Sequence, residues 1–134
     1  MKILMICSKA FYDKLLFFKG ELENLGHEVF MPNCWDCPET EAKYRNTTEH
    51  GAWKAKMFKR SEEVISKVDA VLVLNYDKNG QKNYIGGATF LEIYDAFRMH
   101  KKIFFVNDLP DGMLKDELIG FSPIIVNENL NLIK

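Results

Sequence analysis

Short apolar runs recur along the chain, and polar or amphipathic segments separate them. Residues 2–7, 70–74 and 102–106 are nearly continuous apolar runs, as is typical of strands that are covered on both faces of a sheet. Residues 28–31 and 123–126 are shorter runs beside a proline, and they also predict strands. The pattern therefore predicts five strands, with the run at 70–74 near the centre of the sheet.

Between these runs, apolar residues recur at the spacing of an amphipathic helix. The first such set comes before Gly26, which is a typical helix stop, and consists of Phe11, Leu15, Phe18, Leu22 and Leu25. Further helices are predicted over about 48–67, from the two glycines at 86–87 to about 100, and over 111–121 as a short helix. Alternating strands and helices predict a single α/β domain over residues 1–134, with three layers, a Rossmann-like or flavodoxin-like arrangement and a five-stranded, mostly parallel sheet.

Several polar residues follow the predicted strands directly. In parallel α/β sheets, ligands bind beyond the carboxyl ends of the strands, where the strand order reverses. Ser8 follows the first strand, Asn75 and Asp77 follow the third, and Asn107 and Asp108 follow the fourth. We expect these residues to surround a small-ligand site, with Asp108 able to protonate a leaving group. Residues 107 and 108 also suit a simple turn, which is the plainer interpretation.

The composition narrows the classes of partner. The chain has 134 residues and a formal net charge of −1, so it carries no basic surface typical of duplex nucleic-acid binding and no polybasic membrane signal. No apolar run is long enough to span a bilayer, and only five apolar residues follow Lys2, too few for a secretory leader. We expect a cytoplasmic protein.

The polar segment 33–47 contains a Cys34-x-x-Cys37 motif. A single pair lacks the second pair of ligands that a structural zinc needs, and the motif does not open a helix after a strand as in thioredoxins. We expect two reduced thiols in a loop. Trp35 and Tyr44 in the same loop either stack on a base or pack the loop down. The basic residues within 54–60 are predicted to form the solvent-exposed face of the following helix.

The segment Gly86-Gly87-Ala88-Thr89 opens the third long helix after a loop. Glycine allows a close approach between backbone and ligand, and the free N–H groups of a helix start attract anions. A phosphate or a sugar hydroxyl suits this place, while a simple turn is an equally good interpretation. The segment is neither a Walker loop nor a dinucleotide fingerprint.

Glu92 lies two turns into that helix, within a stripe of small or apolar residues. The stripe consists of Thr89, Ile93, Ala96 and Met99. Burial of an unpaired carboxylate is costly, so a carboxylate in such a stripe is often functional. Alternatively, Glu92 lies at the edge of the stripe and reaches water.

These motifs together resemble one enzyme family. The stretch Val68–Asn75, the glycine segment, Glu92-Ile93-x-x-Ala96 and Lys102-Ile103 are similar to the nucleoside 2-deoxyribosyltransferase superfamily, which includes nucleoside 5′-monophosphate N-glycosidases. The resemblance implies that Glu92 attacks the anomeric carbon of a nucleoside or nucleotide, expels the base and passes the glycosyl group to water or another base. It also implies that Gly87, Ala88, Thr89 and Ser8 line the sugar or phosphate pocket.

The resemblance further implies a homo-oligomer and no metal or redox cofactor. The chain has Tyr94-Asp95 where the family has Gly-Tyr after the glutamate, and Cys-Ser-Lys-Ala where the family has Ala-Gly-Pro after the first strand. Two other hypotheses therefore remain beside the enzyme. One is a non-catalytic nucleotide-binding or signalling module in which Glu92 holds a ribose hydroxyl. The other is an oligomeric scaffold without a small ligand.

Overall fold

The computed structural model describes all residues, 1–134, and contains five strands and five α-helices. The strands are β1 (Lys2–Ile6), β2 (Glu28–Phe30), β3 (Ala70–Val73), β4 (Lys102–Phe105) and β5 (Ile124–Ile125). The helices are α1 (Leu15–Asn24), α2 (Thr40–Tyr44), α3 (His50–Lys67), α4 (Gly87–Arg98) and α5 (Lys115–Gly120). Short 3₁₀ segments precede α1, at Lys9–Lys14, and end the chain, at Leu130–Leu132.

The strands form one sheet in the order β2-β1-β3-β4-β5, and every neighbouring pair is parallel. This is the doubly wound, flavodoxin-like order, in which the strand order reverses at β1 and β3. Ile3 lies opposite Ala70 and Ile6 opposite Val73 in that central pair. The predicted fold class is thus confirmed, and the sheet is entirely rather than mostly parallel.

Alternate residues of each strand face opposite sides of the sheet, so the chain has two apolar layers. Ile3 and Met5 of β1 pack towards α1 and the C-terminal segment, whereas Leu4 and Ile6 pack towards α3, α4 and α5. Because both faces of the sheet are covered by helices, the central strands are continuously apolar. This explains why the sequence pattern revealed them.

The segment 33–47 differs from its prediction as a loop, because it contains α2. A five-residue helix is too short to show an apolar period, so the pattern could not reveal it. The first predicted helix likewise begins as a 3₁₀ turn and becomes α-helical at Leu15. None of the helices is both long and apolar enough to cross a membrane.

Asn75 joins the carboxyl ends of β3 and β4. Its side chain is fully buried, and Nδ2 donates to the carbonyl oxygens of Asn107 at 3.0 Å and Asp108 at 2.9 Å. Its Oδ1 accepts from the Asn107 N–H at 2.9 Å, and Asn107 Nδ2 donates to the Asn75 carbonyl at 2.8 Å. These hydrogen bonds satisfy polar groups of the backbone just beyond β3 and β4, where the hydrogen bonds between the two strands have ended.

We expect the change Asn75→Ala to lower the free energy of unfolding by about 2–4 kcal/mol, because it leaves the Asn107 N–H and two carbonyls without partners. Urea unfolding followed by circular dichroism measures the effect. Asn131→Ala is the control, since Asn131 is exposed, and its change should stay within about 0.5 kcal/mol. Equal stability of the two variants would contradict the structural role of Asn75.

Candidate functional site

A cavity of about 270 Å³ opens at the carboxyl ends of β1 and β3. Its walls come from the segment after β1, the residues that follow β2, the facing sides of α2 and α3, and the first two turns of α4. A larger groove of about 730 Å³ lies between α1 and the C-terminal segment, but none of the predicted site residues lines it. The smaller cavity is therefore the candidate site.

The structure brings six of the ten predicted site residues to this cavity. They are Ser8, Gly86, Gly87, Ala88, Thr89 and Glu92. The other four are Asn75, Asp77, Asn107 and Asp108, and they lie outside it. Asp77 Oδ1 accepts from the Asn83 N–H at 3.0 Å, and Asp77 and Asn107 line a separate shallow groove. The remaining two take part in the hydrogen bonds between the ends of β3 and β4 described above.

The N-terminus of α4 forms one wall of the cavity. Gly86 is its N-cap and makes no side-chain capping bond, so the N–H groups of Gly87, Ala88 and Thr89 have no helical partners. A Cβ built on Gly87 meets no atom within 4 Å, and the residue does not have a left-handed backbone. The absence of a side chain at Gly87 therefore leaves open space in front of free N–H groups, where an anion is favoured.

Glu92 projects from the second turn of α4 into the same cavity. It is partly exposed there and makes no salt bridge. Burial, and to a lesser extent the nearby Asp95, raises the pKa of Glu92. The Ser61 hydroxyl and Lys54 lower it, and the resulting pKa is about 7. Both protonation states are thus populated near neutral pH, and a perturbation of this kind is common in functional sites.

A second carboxylate in the cavity, Glu41 of α2, was not predicted from the sequence. It is 8% exposed, and three cations surround it: Lys9 at 2.8 Å, Lys54 at 2.9 Å and Arg45 at 3.6 Å, while the His50 imidazole lies 3.4 Å away. Burial alone raises the pKa of Glu41, but hydrogen bonds from Lys9, Lys54 and His50 outweigh it and lower the pKa to about 2. Glu41 is therefore a permanent anion that holds cations at the cavity wall.

One solved structure with a similar fold is a 2-deoxyribosyltransferase from the psychrotolerant bacterium Bacillus psychrosaccharolyticus. The TM-score is 0.53, the identity is 20%, and the match covers 78% of this chain and 71% of that chain. The two chains share a fold. No protein-family model and no curated protein matches the chain.

The cavity has an excess of positive charge. Lys9, Arg45, Lys54 and Lys78 line it, against the two carboxylates Glu41 and Glu92. The prediction that the basic residues of 54–60 are all solvent-exposed is wrong for Lys54, which turns inward to Glu41. The sequence did contain a signal for this orientation. Lys54 lies three and four residues before Met57 and Phe58, a spacing that places the three side chains on one side of the helix, and all three line the cavity.

The cysteines and aromatic residues of segment 33–47 have separate positions. Cys34 lines the cavity as a free thiol. Its pKa is raised, mainly by burial and to a lesser extent by a hydrogen bond with Cys37. Tyr44 stacks on Trp53 with ring centroids 6.0 Å apart, so it packs the segment against α3. Trp35 lines a different groove. No cluster of three or more His, Cys, Asp or Glu side chains is arranged to hold a metal ion.

The charge cluster at Glu41 generates a pH-dependent stability. Since the folded pKa of about 2 lies below the ordinary glutamate pKa of 4.5, Glu41 stabilises the fold above about pH 4.5, and this contribution is lost as the pH falls towards 2. We expect Glu41→Gln to lower the free energy of unfolding at pH 7 by about 3 kcal/mol, with a difference that shrinks below pH 4.5.

Urea unfolding between pH 3 and pH 7 tests this expectation. Glu63→Gln on the exposed side of α3 is the matched control, and it should follow the parent protein at each pH. A loss in Glu41→Gln that is the same at pH 3 and pH 7 would mean that the ionised carboxylate does not stabilise the fold.

Proposed function

We propose that the protein cleaves the N-glycosidic bond of a nucleoside or nucleotide, with Glu92 as the nucleophile. The observation that carries the proposal is Glu92, which makes no salt bridge and lines the same cavity as the free N–H groups at the start of α4. The shared fold with a 2-deoxyribosyltransferase and the motifs around Glu92 support the same reaction class.

The reaction divides into two displacements. A Glu92 carboxylate oxygen attacks the anomeric carbon, the bond from that carbon to the base nitrogen breaks, and the base leaves with the bonding electrons and takes up a proton from solvent. A water molecule or a second base then attacks the same carbon, the bond from that carbon to the Glu92 oxygen breaks, and the attacking group gives up a proton to solvent. The pKa of about 7 keeps a fraction of Glu92 ionised at neutral pH, while incomplete solvation leaves the carboxylate reactive.

We infer that the preferred substrate is a nucleoside 5′-monophosphate. Ser8 Oγ lies 3.3 Å from Lys78 Nζ, and both line the cavity with the first turn of α4. A phosphate in this corner would accept hydrogen bonds from the backbone N–H groups, the Ser8 hydroxyl and the Lys78 ammonium group. The excess of positive charge in the cavity favours the same choice.

The nucleophile is tested by Glu92→Gln. We expect the parent protein to release free base from one member of a panel of nucleosides and their 5′-monophosphates, measured by liquid chromatography. Because the amide cannot form the glycosyl ester, the variant should lose about a hundredfold or more of this activity and still bind the substrate in a thermal-shift assay. Since only the carboxylate attacks, base release by the parent should rise with pH through about 7.

Glu63→Gln again provides the control and should retain full activity. Stabilisation of the parent protein by a nucleotide without any base release would favour the non-catalytic binding module instead. Full activity in Glu92→Gln would refute the proposed nucleophile.

The choice of a monophosphate is tested by Lys78→Met. We expect the KM for the 5′-monophosphate to rise by about tenfold or more, with little change for the free nucleoside, because one charge-assisted hydrogen bond to phosphate is lost. Lys82→Met changes an exposed lysine in the same loop and should leave both values unchanged. An equal rise of KM for both substrates would contradict a phosphate contact.

A homo-oligomer stays a prediction. The outer side of α4 carries Leu91, Tyr94 and Phe97, which are 46%, 44% and 45% exposed, and the rings of Tyr94 and Phe97 contact Phe121. A contiguous apolar surface of this kind is where association between copies is favoured. Leu91 and Tyr94 lie on the side of the helix away from the buried residues Thr89, Ile93 and Ala96, and Phe97 lies between the two sides.

A further inference from the structure

Asn33, just after β2, is held by three hydrogen bonds next to the cavity. Its carbonyl accepts from the Tyr12 hydroxyl at 2.9 Å. Its side-chain Nδ2 donates to the carbonyl of Met57 at 3.0 Å and to Ser61 Oγ at 2.7 Å. Both hydrogens of the amide are thus in use, and the amide orientation is determined, because the opposite orientation would place two oxygens against each other.

This arrangement determines what the Ser61 hydroxyl can do. Ser61 Oγ is an acceptor for Asn33, so its own hydrogen must find another partner. A helical serine usually donates to the carbonyl four residues earlier, but here that carbonyl belongs to Met57 and already accepts from Asn33. Ser61 is 7% exposed, which leaves little access to bulk water. Met57, one turn earlier on α3, lines the same cavity as Glu92, and the Ser61 hydroxyl lowers the pKa of Glu92, so the Glu92 carboxyl group on the facing helix is the candidate acceptor.

We propose that Ser61 is a positioning residue that donates a hydrogen bond to the Glu92 carboxylate, and that Asn33 sets the direction of this bond. One carboxylate oxygen would then be held against α3, and the other would be free to face the anomeric carbon. This effect on the reaction rests on the proposed function, whereas the hydrogen bond itself does not. The relay links three segments that are distant in the sequence: the end of β2, α3 and α4.

Other groups also act on the ionisation of Glu92. Asp95, three residues further along α4, raises the pKa of Glu92, and Lys54 of α3 lowers it. Cys7 and Tyr12, in the segment after β1, line the same cavity. Lys9, Glu41, Arg45 and Lys78 complete the charged groups of the cavity. All of these remain in place when only the Ser61 hydroxyl is removed, so a change of titration reports on that hydroxyl.

The primary test is the titration of the Glu92 carboxyl carbon by ¹³C NMR in protein labelled at glutamate, with the signal assigned through Glu92→Gln. We expect Ser61→Ala to raise the midpoint by roughly one pH unit or more, because the carboxylate loses a donor. Ser61→Thr keeps a hydroxyl and should restore the midpoint. Ser66→Ala on the same helix is the matched control, since its hydroxyl is exposed and bonds to the Glu63 carbonyl.

Asn33→Ala provides a second variant that leaves Ser61 in place. It should raise the midpoint in the same direction by a smaller amount, because the Ser61 hydroxyl is then free to turn towards Met57. An unchanged midpoint in folded Ser61→Ala or, should that variant not fold, in Asn33→Ala overturns the proposal.

Kinetics separate this inference from the proposed function. If Glu92 is the nucleophile, Ser61→Ala should lower kcat at pH 6 by about tenfold with KM changed less than twofold, and Ser61→Thr should recover most of the loss. A shifted midpoint in a protein that never releases base would retain the relay and refute the proposed function. An unchanged midpoint in an active protein would refute the relay and retain the function.

Discussion

The parallel pairing of β1 with β3 is the interaction on which the rest of the molecule depends. β1 pairs with β2 on one side and with β3 on the other. The chain therefore first adds β2 at one edge of β1 and then crosses to add β3 at its other edge. Helix α1 therefore packs on one face of the sheet, and α3 and α4 pack on the opposite face. The loops that follow β1 and β3 diverge at this point, which is why the cavity with Glu92 opens there.

The cavity contains two carboxyl groups that differ because their surroundings differ. Glu41 has three cationic neighbours and a hydrogen bond with His50, so its pKa falls to about 2 although it is buried. Burial dominates at Glu92, where one hydroxyl and a more distant Lys54 only partly compensate, so the pKa is about 7. A pair of carboxyl groups with widely separated pKa values is a common arrangement in catalytic sites. Here the fixed anion organises the cations, and the titrating group faces the open space.

Stability and chemistry are also divided between neighbouring residues at the same edge of the sheet. Asn75 and Asn107 follow β3 and β4, where ligand contacts are often found, yet their side chains are hydrogen-bonded between the two strand ends, and the Asn75 side chain is fully buried. The residues that follow β1 and begin α4 leave their polar groups open instead. A polar residue at the end of a strand can therefore either stabilise the sheet edge or bind a ligand. Its position in the sequence does not decide between the two, because the role depends on the hydrogen-bond partners that the neighbouring strand ends provide.

The sequence by itself determined the five strands, the class of the fold and the place of Glu92 on an apolar stripe, because these follow from local periodicity and from apolar runs covered on both faces. It also indicated the glycine segment at the start of α4. Only the tertiary structure decided that Glu41, Asn33, Ser61 and Lys54 belong to the same site. Asn33 and Ser61 are 28 residues apart and share no period, and the short α2 carries no periodic signal. Contacts of this kind arise from the packing of distant segments, which a local pattern does not encode.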